Sequence, residues 1–291
     1  MTFIAMVAIL LPPLGAAAVV FWLGRQQKRE GRRSPLTEKL AYLPGEQLRR
    51  RMDVMSEKID EYLILLVVVG PLATLVVLLP RVAWSRLSFT WLDGGVVVAA
   101  LAFTVMTICK LVPRWRERRA CHDGMRAEIA TAQLLDRLQA EGCLVLHDLP
   151  AERFNIDHVV IGRTSVFAVE TKSRRKPGTG KASAQVSFDG SALHFPGWNE
   201  TKSLDQARHQ ARWLSDYLRG ETGEPVPVLP VLCLPGWFVS ADRDAARSDV
   251  RVINPKFKQP FLDAGGRAPF HDAQRNRIVH ALYKRYPELD E

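Results

Sequence analysis

The sequence predicts an α-helical membrane region of three spans over residues 1–115, followed by an α/β domain over 116–291 with a mixed central sheet flanked by helices. Two observations carry the first half. Long apolar runs crowd the N-terminal third of the 291 residues, and arginines and lysines gather between and after them. A third carries the second half, because the later chain reads helix, strand, hairpin, strand, helix, strand, the order of a layered α/β domain.

The expected spans are 3–23, 62–80 and 94–112, each near the ~20 residues that a bilayer requires. No positive segment precedes Phe3, so the first run reads as a retained anchor rather than a cleaved signal. Pro71 falls inside the second run, where a membrane helix tolerates it better than a soluble one. Between the first two runs, 24–61 is rich in basic residues, among them Arg32, Arg33, Arg49, Arg50 and Arg51. Another basic group, Arg114 to Arg119, follows the third run. By the positive-inside rule both clusters face the cytoplasm, which sets a multi-pass cell-membrane protein with its N-terminus outside and 113–291 inside. Leu40, Leu43, Leu48, Met52, Met55 and Ile59 form an interrupted amphipathic pattern within the basic loop, suited to a membrane surface or to the domain that follows.

The net charge of +9 favours polyanionic partners, yet membrane-flanking arginines account for much of it, so charge alone does not establish nucleic-acid binding. The four cysteines show neither CxxC pairing nor zinc-like spacing and read as reduced thiols. No charged residue except Lys110 lies within the runs, which leaves transport chemistry without a foothold.

In the second half, Gly124 to Glu141 reads as a helix with Met125, Ile129, Ala132, Leu135 and Leu138 on one stripe and Glu128 at its edge. Cys143 to His147 is a short strand. Ile156 to Ile161 and Val166 to Lys172 form a hairpin around the turn at Gly162 to Ser165. Asp189-Gly190 marks a second hairpin, between Val186–Phe188 and Ala192–Phe195. Leu204, Ala207, Ala211, Leu214 and Leu218 are the apolar stripe of a further helix, with Gln206 and Gln210 on an adjacent line. Val226 to Leu234, Trp237 to Ser240 and Val250 to Ile253 are strands, and His271 to Tyr286 is a terminal helix.

Alternation in the second hairpin strand sets Glu170 and Lys172 on the face of Val166 and Ala168, so a carboxylate and an ammonium emerge together from an apolar strand. Asp157 lies in the neighbouring strand, with His158 facing the other way as a core or hydrogen-bonding histidine. Two converging carboxylates repel, and a hard dication between them removes the penalty, Mg²⁺ or Mn²⁺ suiting all-oxygen ligands. Read singly, Glu170 and Lys172 could be a same-face ion pair, Glu128 could pair with Arg126 or Arg153, and Asp157 could cap backbone amides.

Taken in order, Gly124-Met125-Arg126-Ala127-Glu128, Ile156-Asp157-His158 and Glu170-Thr171-Lys172 resemble the NERD (nuclease-related) domain, a branch of the PD-(D/E)XK nuclease superfamily. Ala127 stands where the family usually has a second glycine. The resemblance covers about 124–239 and implies a restriction-endonuclease-like fold. It implies metal binding by Asp157, Glu170 and the Thr171 carbonyl, with Lys172 serving the attacking water, Glu128 supporting the site and Gln206 matching the family's helix glutamine. The basic loop carrying Arg174, Arg175, Lys176 and Lys181 could grip phosphates.

The expected function is a membrane-anchored, Mg²⁺-dependent hydrolase of nucleic-acid phosphodiester bonds, with DNA ahead of RNA. The rival is a catalytically silent nuclease-fold module that tethers nucleic acid or a partner protein at the membrane. Oligomeric state is not legible.

Overall fold

The computed structural model describes residues 44–78, 91–176, 184–262 and 266–286. These fall into two units, one formed by 51–78 and 91–120, the other by 44–50 and 121–286.

The first unit is made from the larger parts of two helices, α1 (Glu46–Leu78) and α2 (Trp91–Leu135). Their polar segments meet side by side: Arg51 pairs with Glu117 at 3.3 Å, Arg118 donates to the Ser56 hydroxyl at 3.0 Å, and the Arg114 guanidinium lies over the Tyr62 ring. Beyond them, Leu63, Ile64, Leu65, Val67 and Val76 of α1 and Val98, Val105 and Ile108 of α2 are exposed.

The three expected spans are not borne out as such. Among the described residues no helix is long and apolar enough to cross a membrane. α1 runs from the charged stretch Glu46 to Glu61 into an apolar run. α2 carries its apolar run into the basic segment from Lys110 to Arg119. The run over 3–23 lies outside the described residues.

In the second unit a five-stranded sheet has the order β1-β2-β3-β7-β9, with β1 (Leu144–Pro150), β2 (Asn155–Ile161), β3 (Val166–Thr171), β7 (Val228–Cys233) and β9 (Arg251–Ile253). The first three strands are antiparallel neighbours, whereas β3–β7 and β7–β9 are parallel, so the sheet is mixed as expected. Between β3 and β7 the chain builds β4 (Gln185–Phe188), β5 (Leu193–Phe195), β6 (Trp198–Glu200) and helix α3 (Lys202–Thr222). With β8 (Phe238–Ala241), the first three of these make a second sheet of order β6-β5-β4-β8. A short helix α4 (Gln259–Leu262) and a terminal helix α5 (Asp272–Tyr283) complete the unit.

β3 is buried on both faces, and alternation sorts its residues as the pattern predicts. Val166 and Ala168 pack with Ala211, Leu214 and Leu218 of α3 and with Ile278 and Leu282 of α5. Phe167 and Val169 pack on the opposite side against Leu135, Leu138 and Phe261. The expected helix over 124–141 is the end of α2, which tightens into a 3₁₀ turn at Asp136–Glu141 and stops at Gly142, whose φ of 83° no β-carbon-bearing residue adopts cheaply. Residues near Gly45 and Leu48 pack beside Gly124 and Met125. A β-carbon on Gly124 would lie 3.0 Å from a Leu48 methyl, a contact closer than most β-carbons make.

Candidate active site

The acids gather where β2 and β3 part. Their ladder ends at the pair His158–Val169, so the next residues, Asp157 and Glu170, are no longer joined by main-chain bonds. Instead the Thr171 N–H donates to Asp157 Oδ2 at 2.7 Å. On the other side β1 keeps pairing with β2, but the rung opposite Asp157 is missing, because Asp148 takes a left-handed φ of 49°. Asn155 Nδ2 donates to Asp148 Oδ1 at 2.7 Å and holds that carboxylate in the interior.

Glu170 is the most enclosed acid, at 2% exposure. Its two oxygens are separately engaged: Lys172 Nζ lies 2.5 Å from Oε1, and Gln210 Nε2 donates to Oε2 at 2.5 Å. Glu128 arrives from α2, the helix that covers the opposite face of the sheet. Burial, then the nearby charges of Asp148 and Glu170, push its carboxyl up to about 7, while Lys172 pulls the other way. Burial and the charges of Glu170 and Glu128 likewise raise Asp157 well above the usual carboxylate range, against the Thr171 N–H and Lys172. Glu128, Asp157, Glu170 and Lys172 therefore form one electrostatic cluster, as the motif order implies.

Gln206, expected to orient the site, is exposed on α3. Gln210, one turn later, is buried and takes that place, its Oε1 enclosed with no hydrogen-bond partner among the described residues. Burial selects it: Gln210 lies between Ala207 and Leu214, both fully buried, and that spacing was readable in the sequence. Asp148 was missed for want of a signal, since its role depends on backbone shape and on Asn155.

The basic loop is more committed than expected. Arg174 is bound through Nε to Glu200 Oε2 at 2.7 Å, and its second terminal nitrogen also meets Glu200 and the Ser203 hydroxyl. Its carbonyl accepts from Trp237 Nε1 at 3.1 Å. Burial would raise the Glu200 carboxyl, but the bonds from Arg174 and Ser203 outweigh it and lower the group. Arg175 pairs with Asp123, Lys176 lies near Gly236, and Lys181 falls outside the described residues.

His158 is fully buried on the far face, as expected of a core histidine. Its Nδ1 lies 2.9 Å from Nδ1 of His147, which in turn meets Asp136 at 3.1 Å. Burial and His147 lower its pKa well below the ordinary value, so it stays neutral. A concavity of about 1420 Å³ beside α3 and β9 contains none of the clustered acids.

Residues 123–235 match the family of NERD, or nuclease-related, domains. That range contains every clustered acid, Lys172 and Gln210. No curated protein and no solved structure matches the chain.

The donor chemistry of the nuclease-related domain fits a hard dication. The Asp157 and Glu170 carboxylates and the Thr171 carbonyl offer only oxygen, and burial, with the neighbouring carboxylates second to it, raises Glu128 and Asp157, a cost of ionisation that a cation would offset. Among the described residues no group of three His, Cys, Asp or Glu side chains is placed to hold a metal. Two carboxylates and a carbonyl are a sufficient protein share for Mg²⁺, which usually keeps several waters.

Proposed function

We propose that the nuclease-related domain hydrolyses phosphodiester bonds of nucleic acid, DNA ahead of RNA, with Mg²⁺ or Mn²⁺ held by Asp157, Glu170 and the Thr171 carbonyl. The observation that carries this reading is a buried carboxylate, Glu170, clamped between an ammonium and an amide at the mouth of a strand fork that holds a second acid. When bound, the cation supplies positive charge that lets a phosphodiester approach the acids, and it acidifies the attacking water. Lys172, held in place by Glu170, is positioned to donate to a phosphate oxygen as charge develops there. Gln210 fixes the other Glu170 oxygen. Glu128, titrating at about 7, can take and return a proton near neutrality. In the overall reaction water oxygen bonds to phosphorus and the bond to the departing oxygen breaks. One water proton ends on that oxygen, and the other stays with the new phosphate monoester.

The test is incubation of the full chain with DNA and RNA under Mg²⁺, Mn²⁺ or chelator, beside Glu170→Ala and Lys172→Ala. Metal-dependent cleavage should fall at least a hundredfold in both variants. Metal-dependent cleavage that survives both substitutions sinks the assignment. Salt-sensitive binding without cleavage would instead favour the tethering module.

The same proposal places the chain in the cell membrane with its N-terminus outside and the nuclease-related domain in the cytoplasm. The support is the exposed apolar side chains of α1 and α2 and the basic residues beside them. Release of the full chain from membranes by alkaline carbonate would count against it.

A further inference from the structure

A cleft of about 370 Å³ is lined by Asp123, Arg126 and Ala127 of α2 and by Ser173, Arg175 and Pro235. Ala127 immediately precedes Glu128, and Ser173 immediately follows Lys172, so the cleft lies one residue along the chain from two residues of the proposed reaction, without being lined by them. Two guanidinium groups line it. Arg175 sends Nε and a terminal nitrogen to the same oxygen of Asp123, at 2.8 and 2.6 Å. Arg126 is exposed and has no ion-pair partner among the described residues. The Arg175–Asp123 pair is open to water, with side chains 59% and 34% exposed, so it is weakly held.

Arginine forks match the paired oxygens of a phosphate, and one carboxylate is all that opposes the two cations here. We propose that this cleft is a subsite for the phosphate next to the scissile one in a nucleic-acid strand. Arg126 and Arg175 grip that phosphate, and Asp123 is the resident counter-anion that it displaces. The subsite rests on the nuclease reading for its substrate class, but binding tests it separately from turnover. The buried Ala127 keeps the floor low, and a larger residue there would fill the space the phosphate enters.

The experiment measures binding of a fluorescently labelled DNA oligonucleotide to the full chain in chelator across a salt series, and KM and kcat with Mg²⁺. The combined Arg126→Ala and Arg175→Ala variant should bind about tenfold more weakly. Its log K against log salt should flatten by about one, the loss expected for one phosphate contact. KM should rise in proportion with kcat within twofold. Asp123→Asn should tighten binding about threefold, a gain that a merely structural ion pair would not give. Unchanged affinity and salt slope in the double variant, or weaker binding by Asp123→Asn, overturn the subsite even if cleavage is normal. Binding that follows these shifts without any cleavage upholds the subsite and removes the hydrolase reading. No measurable binding by the unmodified chain in chelator overturns the subsite, whereas cleavage with Mg²⁺ decides the hydrolase reading by itself.

Discussion

The main-chain N–H of Thr171 is satisfied by the Asp157 carboxylate at 2.7 Å, in the place where β2 and β3 would otherwise form their next rung. One side chain thus closes the strand fork and contributes to the charge cluster. The two tasks separate by substitution. Asp157→Asn keeps an oxygen acceptor for Thr171 and removes the charge, so it should fold as well as the parent and lose cleavage. Asp157→Ala strands a buried donor and should be less stable than Asp157→Asn by about 1–3 kcal/mol in chemical denaturation. Equal stability of the two variants would mean that the bond carries no structural weight.

Gln210 and Gln206 offer a matched pair. Gln210→Ala frees one oxygen of Glu170 and leaves that carboxylate less fixed, so cleavage should fall roughly 10–100-fold, the range for losing a partner that orients a metal ligand. Gln206→Ala, at an exposed position, should stay within about twofold. Initial rates of the two variants under saturating Mg²⁺ decide it.

Glu128 makes a prediction with a definite sign. Its carboxyl titrates at about 7 in the folded chain, against 4.5 in its ordinary state, so the folded form holds the proton more tightly. That contribution is complete below pH 4.5, is lost as pH rises through 7, and is absent above it. Glu128→Gln should therefore stabilise the chelator-treated chain at pH 8 by up to ~3 kcal/mol relative to the parent, and the difference should shrink to under ~1 kcal/mol at pH 5 and close below pH 4.5. Thermal unfolding across that range checks it, and a pH-independent difference would refute the cause assigned.

Asp148 combines a left-handed backbone with a buried carboxylate. Asn tolerates that conformation and retains an oxygen for Asn155, whereas Ala does neither. Asp148→Ala should cost ~1–3 kcal/mol and Asp148→Asn under ~1 kcal/mol. Both remove a charge that raises Glu128, so both should move the pH-dependent step in stability toward lower pH.

Strand alternation and the acid order were legible because they are local. A period of two fixed which β3 residues faced α3, and that put Glu170 beside Ala168 on the buried side. What could not be read depends on long-range partners. Arg174 looked like a phosphate ligand because its partner, Glu200, lies on β6, a strand that Pro196-Gly197 marks with a turn signal but that is too short to show a pattern. The error at Gln206 was one helical turn, which a motif match does not resolve and the rotation of the apolar stripe does. Asp148 had no local signature at all, since its backbone shape is set by the break in β1 pairing.

The chain between Lys172 and α3 leaves the main sheet and returns to it at fixed anchor points. Lys172 N–H is tied to the Cys233 carbonyl at 3.0 Å, Arg174 is locked to Glu200 and Trp237, and Gln210 is seated on Glu170. The excursion is consequently a cassette with a rigid socket. On the proposed hydrolase reading, exchanging β4 to β6 would change the surface that a nucleic-acid strand meets, while Glu170 keeps Lys172 and Gln210 as its partners.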